Sequence, residues 1–143
     1  MSYTIGIDVG GTKVLGGVVD AAGKVLKTSR RDTPREGGSA LTATIAEVAL
    51  ELSAEFEVSA VGLSAAGFVS SDRKTMLATP NIAGWNGVQL DAELTALINL
   101  PVVLENDANA AAWGEKMFGA GKGKKNILMV TVGTGIGGGI IVN

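Results

Sequence analysis

Tyr3-Thr4-Ile5-Gly6-Ile7-Asp8-Val9-Gly10-Gly11-Thr12-Lys13-Val14-Leu15-Gly16-Gly17-Val18-Val19-Asp20 reads as two strands about a glycine turn. A further apolar run, Val25 to Arg31, follows the short connection Asp20-Ala21-Ala22-Gly23. Strands over Tyr3–Val9, Val14–Asp20 and Val25–Arg31 therefore open the chain as an antiparallel meander.

Beyond the meander the period changes. Ala40 to Phe56 places Leu41, Ile45, Val48 and Leu52 three or four residues apart, which predicts an amphipathic helix packed on the sheet. Ala60 to Ser64 is a short strand that ends in Ala65-Ala66-Gly67, and Phe68 to Leu77 predicts a small ribbon around a polar turn at Ser70 to Lys74. Pro80 to Asn86 reads as loop. Val88 to Ile98 carries Leu90, Leu94, Leu97 and Ile98 on one helical face. Pro101 to Leu104 is then a buried strand, and Ala108 to Phe118 has helical composition. The expected order is β-β-β-α-β-α-β-α, an α/β lobe with a mixed sheet flanked by helices.

Gly119 to Lys125 has linker composition, and a new strand starts at Asn126. Setting Thr4–Asp20 against Ile127–Asn143 without gaps pairs Val9 with Val132, Gly10 with Gly133 and Gly16 with Gly139. Such a repeat suggests a two-lobed protein, each lobe presenting one hairpin to a shared ligand. The expected division is a lobe over residues 1–120, a linker over 121–125 and the first hairpin of a truncated second lobe over 126–143.

Composition removes several classes of function. Cysteine and histidine are both absent, so no thiol nucleophile and no imidazole base exist, and acid-base work falls to carboxylates or lysine. The net charge of -2 leaves no basic footprint for nucleic acid. No apolar run approaches a membrane span, and no basic, cleavable leader pattern follows Met1, so a cytoplasmic location is expected. The 21 glycines cluster between β-branched runs, as tight turns or close backbone approach to a ligand require.

The chemistry is placed at Leu104-Glu105-Asn106-Asp107-Ala108-Asn109, where a strand becomes a helix. Ligands of open α/β sheets bind at the carboxyl ends of strands, and helix N-terminal amides favour an ionised group there. Asp107 is the candidate reacting group, although Asn106 or Asp107 serving only as an N-cap is an equal alternative on this stretch alone. Asp8-Val9-Gly10-Gly11-Thr12-Lys13 is the second candidate. Its glycines would let amides reach phosphate oxygens, Thr12 could donate a hydrogen bond, and Asp8 could hold Mg2+ through water. A plain Gly-Gly hairpin is the competing reading.

Gly133-Thr134-Gly135-Ile136-Gly137-Gly138 formally satisfies G-x-G-x-x-G, but strand rather than helix follows, so a dinucleotide site is rejected for a phosphate-gripping or merely bulged hairpin. No G-x-x-x-x-G-K-[ST] is present. Trp85 is read as anchoring its loop to the core rather than stacking on a sugar. Asn81 and Asn106 offer amides of both polarities, useful for hydroxyl-rich ligands and equally common in loops and caps.

Taken together, Asp8 to Lys13, Ala65 to Gly67, Pro80-Asn81, Glu105 to Asn109 with Trp113-Gly114-Glu115, and Gly133 to Gly137 resemble the ROK family of sugar kinases and repressors, most of all its bacterial glucokinase members. The resemblance implies an actin-like, ribonuclease-H-like ATPase lobe and transfer of the ATP γ-phosphoryl group to a sugar 6-hydroxyl. It implies Asp107 as base, Asn106, Asn81 and Gly67 at the sugar, and Asp8, Gly10, Gly11, Thr12 and Lys13 toward the ATP phosphates and Mg2+. Thr134 and Gly135 would grip the phosphates from the second lobe. The family's zinc site would lie outside this chain.

A kinase of another hexose or of an N-acetylated amino sugar, and a non-catalytic sugar-sensing module, are the competing readings. The expected partners are a small-molecule sugar and a nucleotide, with no nucleic acid and no membrane. A homo-oligomer is also expected, since the last hairpin has an open edge. The chain taken alone is expected to be inactive.

Overall fold

The computed structural model describes residues 2–133 and 135–143. Three strands, β1 (Tyr3–Val9), β2 (Lys13–Val19) and β3 (Val25–Asp32), form the antiparallel meander. Strand β4 (Val58–Ala65) adds parallel to β1, and β7 (Val102–Asn106) adds parallel to β4, giving the order β3-β2-β1-β4-β7. Between them β5 (Phe68–Val69) and β6 (Met76–Ala78) make a small ribbon.

Alternation decides which face of the sheet is covered. Ile5, Ile7 and Val9 are buried against helices α1 (Gly38–Ser53) and α2 (Leu90–Ile98), while Thr4, Gly6 and Asp8 point the other way. Helix α1 buries Leu41, Ile45, Val48 and Leu52, and it can approach β2 because position 16 is glycine: a Cβ there would collide with Val48 and come within 3.0 Å of Leu52. Helix α2 buries Leu90, Leu94 and Ile98 and stops at Asn99, whose left-handed backbone (φ 54°) lets its N–H reach the Thr95 carbonyl at 2.9 Å. Trp85 is buried in the same core and donates its indole N–H to Thr42 at 3.3 Å, as the loop-anchor reading expects.

The opposite face carries a row of small side chains. Thr28, Gly17, Gly6, Gly62 and Val103 are successive register partners across all five strands, so the middle of this face is bare backbone. Helix α3 (Asp107–Phe118) crosses over it from the end of β7, and the Phe118 ring comes to rest where a Cβ at Gly23 would otherwise sit. An open cleft of ≈ 740 Å³ remains between sheet and helix.

Strands β8 (Ile127–Val132) and β9 (Ile136–Ile141) pair with each other and lie on α3. Their contact uses the smallest side chains available: a Cβ on Gly139 would collide with Ala112, and one on Gly137 would be 3.1 Å from the Ala108 methyl. The face turned away from α3 is apolar and exposed, with Leu128, Val130, Val132, Ile136 and Ile140 all more than half accessible. The segment before β8 is a compact run of turns, in which Ala120 donates to the Glu115 carboxylate at 2.8 Å and Gly121 to the Glu115 carbonyl at 3.0 Å. Among the described residues no helix is long and apolar enough to cross a membrane.

Several boundaries differ from those the sequence suggested, each for a local reason. Helix α1 ends at Ser53 rather than Phe56, because the Phe56 ring packs edge-on against Tyr3 with centroids 5.5 Å apart. Helix α2 starts at Leu90, since Val88 bridges to Met76 and accepts its N–H at 3.0 Å. Strand β4 is longer than expected because it pairs on both sides, and β7 runs on to Asn106. Both stretches form hairpins, but with different turns: Val9 pairs with Val14 and Val132 with Ile136, so the gapless alignment fails by one residue after the turn.

Candidate functional site

The carboxyl ends of β1, β4 and β7 meet in one place. Asp8, Ser64 and Glu105 are register partners on three adjacent strands and therefore project from the same face. Ser64 donates its hydroxyl to Asp8 Oδ1 at 2.7 Å. Asp8, Ser64 and Glu105 line the cleft under α3 together with Asp107.

Asn106 ends β7 and caps α3: its Oδ1 accepts from the amides of Ala108 at 3.0 Å and Asn109 at 3.1 Å. Its Nδ2 donates to the Gly67 carbonyl at 3.0 Å. That contact depends on Gly67, whose φ of 156° and close neighbours leave no room for a side chain: a Cβ would lie 2.6 Å from the Ala78 carbonyl oxygen and 2.8 Å from the Met76 sulfur. Asp107 is the first helical residue and is exposed, with Oδ1 accepting from the Ala108 amide at 2.9 Å. The cap thus falls on Asn106, and Asp107 presents an exposed carboxylate beside the positive end of the helix.

Two recesses of ≈ 450 Å³ flank Asn106. One is lined by Gly67, Asn106, Asp107, Gly133, Gly135 and neighbouring hairpin residues. The other lies on the ribbon side, between Gly67, Phe68, Pro80, Glu105, Asn106 and Asn109. Gly67, Asn106, Asp107, Asp8 and Gly135 therefore converge on connected surfaces. Asn81 sits exposed in the loop after Pro80, and it lines none of these recesses.

The turn Gly10 to Lys13 is tied back on itself, Gly10 donating to the Lys13 carbonyl at 2.9 Å. Thr33 donates its hydroxyl to the Gly10 carbonyl at 2.8 Å and its amide to the Thr12 carbonyl at 3.1 Å. Gly11, Thr12 and Lys13 are exposed at the rim rather than within the cleft. Thr134 lies outside the described residues.

Among the described residues no group of three or more His, Cys, Asp or Glu side chains is close enough to hold a metal ion by itself. The donor set suits Mg2+ carried in with a phosphate chain, because that ion keeps several waters and needs only one or two carboxylates, here Asp8. Ser64 and Phe68 join the site without having been singled out from the sequence, and Glu105 and Asn109, which lie in the Leu104–Asn109 stretch where the chemistry was placed, join it without a role having been assigned to them. Ser64 and Glu105 lie at strand ends, and Asn109, in the first turn of α3, donates its Nδ2 back to Glu105 Oε1 at 3.3 Å across the strand-to-helix junction.

The profile of the ROK family matches residues 4–143. The chain belongs to the ROK family. Relatives of this ROK chain include the glucokinase of Streptomyces coelicolor, 47% identical over 142 residues, which cover 99% of this chain and 44% of the relative. The N-acetylmannosamine kinase of Yersinia pseudotuberculosis is 34% identical over 143 residues, covering 100% of this chain and 48% of the relative. Among solved structures, a ROK family glucokinase from Streptomyces griseus in complex with glucose and AMPPNP superposes with a TM-score of 0.92 at 45% identity, over 99% of this chain and 45% of that one. This ROK chain spans less than half the length of these relatives. The fold is the α/β lobe of the actin-like ATPases.

Proposed function

We propose that this chain supplies the sugar-facing half, and one phosphate-facing turn, of a glucokinase that moves the ATP γ-phosphoryl group to the 6-hydroxyl of glucose. The observation that carries it is the convergence of Asp8 near the end of β1, Asn106 at the end of β7 and Asp107 at the start of α3 on connected recesses. Phosphoryl transfer asks the protein mainly for positioning and charge stabilisation, with one carboxylate to accept or orient the hydroxyl proton.

In this reading Asp107 takes the proton of the 6-hydroxyl as its oxygen bonds to the γ-phosphorus and ADP leaves. Asn106 hydrogen-bonds the sugar and Gly67 gives the room beside it, while Asn81, which lines none of the recesses, would have to reach the sugar from the loop after Pro80. The Gly10 to Lys13 turn, with Asp8, faces the phosphates and their Mg2+, which would neutralise charge on the transferring group. Thr134 and Gly135 would meet the same phosphates from the hairpin over 126–143, the start of a second lobe after a lobe over 1–120. The bound ligands of the Streptomyces griseus structure support sugar and nucleotide as the pair, and a cytoplasmic homo-oligomer is part of the same reading.

The chain taken alone is expected to bind glucose weakly and to give no turnover, since it spans less than half the length of the glucokinases it resembles. In a full-length enzyme carrying this lobe, Asp107→Ala should lower kcat by about 10²–10⁴-fold while glucose binding, followed by calorimetry, persists. Loss of glucose binding with unchanged kcat per bound sugar would refute the role of Asp107. The similarity to an N-acetylmannosamine kinase makes a sugar panel the companion measurement. Preference for an N-acetylated amino sugar over glucose would replace the substrate and keep the reaction.

A further inference from the structure

We propose that Arg73 is a positioning residue for the sugar-facing end of β7, acting through Glu105. This rests on the reading of Asn106 and Asp107 as sugar-facing, and it concerns what holds them in place.

Arg73 lies in the turn that joins β5 to β6. The turn is closed by hydrogen bonds from Ser70 N–H to the Thr75 carbonyl at 2.9 Å and from Arg73 N–H to the Ser70 carbonyl at 2.9 Å. It docks on β7, the last strand of the sheet, where the Leu104 amide donates to the Arg73 carbonyl at 3.0 Å. Any residue could supply that carbonyl. Arg73 does so with a left-handed backbone, φ 59°, a conformation that glycine adopts without penalty and arginine does not. A non-glycine residue in this conformation is uncommon, which draws attention to what its side chain meets.

It meets the adjacent residue of β7. Arg73 Nε lies 3.4 Å from Glu105 Oε2, and the other oxygen, Oε1, accepts from the Asn106 amide at 2.8 Å and from Asn109 Nδ2 at 3.3 Å. The two carboxylate oxygens are therefore divided, one for the guanidinium and one for the segment that carries Asn106 and Asp107. Asn106 passes the constraint on to the Gly67 carbonyl and to the first amides of α3. The Arg73 side chain is 61% exposed and that of Glu105 25%, so the pair adds little to stability, and its effect lies in orientation.

The test follows amide hydrogen exchange in Arg73→Gly, Arg73→Lys and Glu105→Gln by nuclear magnetic resonance on this chain, with glucose titrated into each variant. Glycine keeps the left-handed turn and removes the guanidinium, so the Leu104 amide should stay as protected as in the parent. The Asn106 amide should exchange about threefold faster, the Asn109 side-chain resonances should move, and glucose should bind about threefold more weakly. Arg73→Lys should restore part of each change, and Glu105→Gln should reproduce Arg73→Gly. Unchanged Asn106 exchange in both Arg73→Gly and Glu105→Gln would overturn the proposal. So would equal loss of protection at Leu104 and Asn106, which would make Arg73 a turn residue only. A parent chain with no detectable affinity for glucose would count against the proposed function, while the amide pattern would still decide the role of Arg73.

Discussion

Ser64 holds Asp8 by a 2.7 Å hydrogen bond across the parallel pairing of β4 and β1, so the first carboxylate of the site is oriented by the sheet itself. The bond engages Oδ1, and among the described residues no hydrogen bond engages Oδ2. Pre-set orientation of this kind removes a reorganisation cost when charge arrives.

Calorimetric titration of ATP with and without Mg2+ should separate the two members of that pair. Asp8→Ala should abolish the increment in affinity that Mg2+ confers. Ser64→Ala should weaken it by about tenfold, the scale of one hydrogen bond to a charged group. A Mg2+ increment that survives Asp8→Ala would take Asp8 out of the phosphate site.

Asn106 does two jobs, and two substitutions divide them. Asn106→Ala removes the cap of α3 and the bond to Gly67, and should cost about 1–2 kcal/mol in urea unfolding. Asn106→Asp keeps an oxygen for the helix amides but loses the donor to Gly67, so it should fall between parent and alanine. Equal stability of Asn106→Asp and the parent would show that the Gly67 contact contributes nothing measurable.

The seam between hairpin and α3 should be intolerant at one glycine and indifferent at its neighbour. Gly139→Ala would press on Ala112 and lie 2.9 Å from the Ala108 carbonyl oxygen, whereas a Cβ on Gly138 meets only the Met129 carbonyl oxygen at 3.5 Å. Gly139→Ala should destabilise by about 1–3 kcal/mol, with faster hydrogen exchange confined to β8 and β9. Gly138→Ala should stay within about 0.5 kcal/mol. The opposite ranking would mean that the hairpin does not pack on α3 by this face.

Glu51 gives the chain an acid-sensitive contact far from the site. The Ser29 hydroxyl, then the Arg31 guanidinium, hold its carboxyl below the ordinary value of 4.5. A group whose folded value is depressed stabilises the fold above its unfolded value and loses that contribution as pH falls through the folded one. Melting of Glu51→Gln should therefore trail the parent by a constant amount above about pH 5 and converge with it under more acid conditions. A gap that widens on acidification would contradict the sign.

What was legible in the sequence was local. The spacing of Leu41, Ile45, Val48 and Leu52 fixed which side of α1 faces the sheet, and the type of residue at Asn106 announced a cap. The ends of the elements were harder, because Phe56 and Val88 are claimed by Tyr3 and Met76, contacts that no short window contains. Within the candidate site, Asp107 could be proposed because strand and helix meet there in the chain itself. Ser64 and Arg73 could not, since their partners Asp8 and Glu105 are brought to them by register and by a turn whose left-handed residue is an arginine, with no glycine to mark it.

The outward face of β8 and β9 has a practical bearing on every experiment above. Five aliphatic side chains stand on it in accessible positions, and a net charge of -2 provides little repulsion between molecules. Concentrated samples should therefore tend to self-associate through this face. The remedy can be drawn from the same register: Leu128 and Ile140 stand directly opposite each other, so Leu128→Lys with Ile140→Glu would place a cross-strand ion pair on that face. Ala108 and Ala112, and the glycines that rest on them, would be untouched.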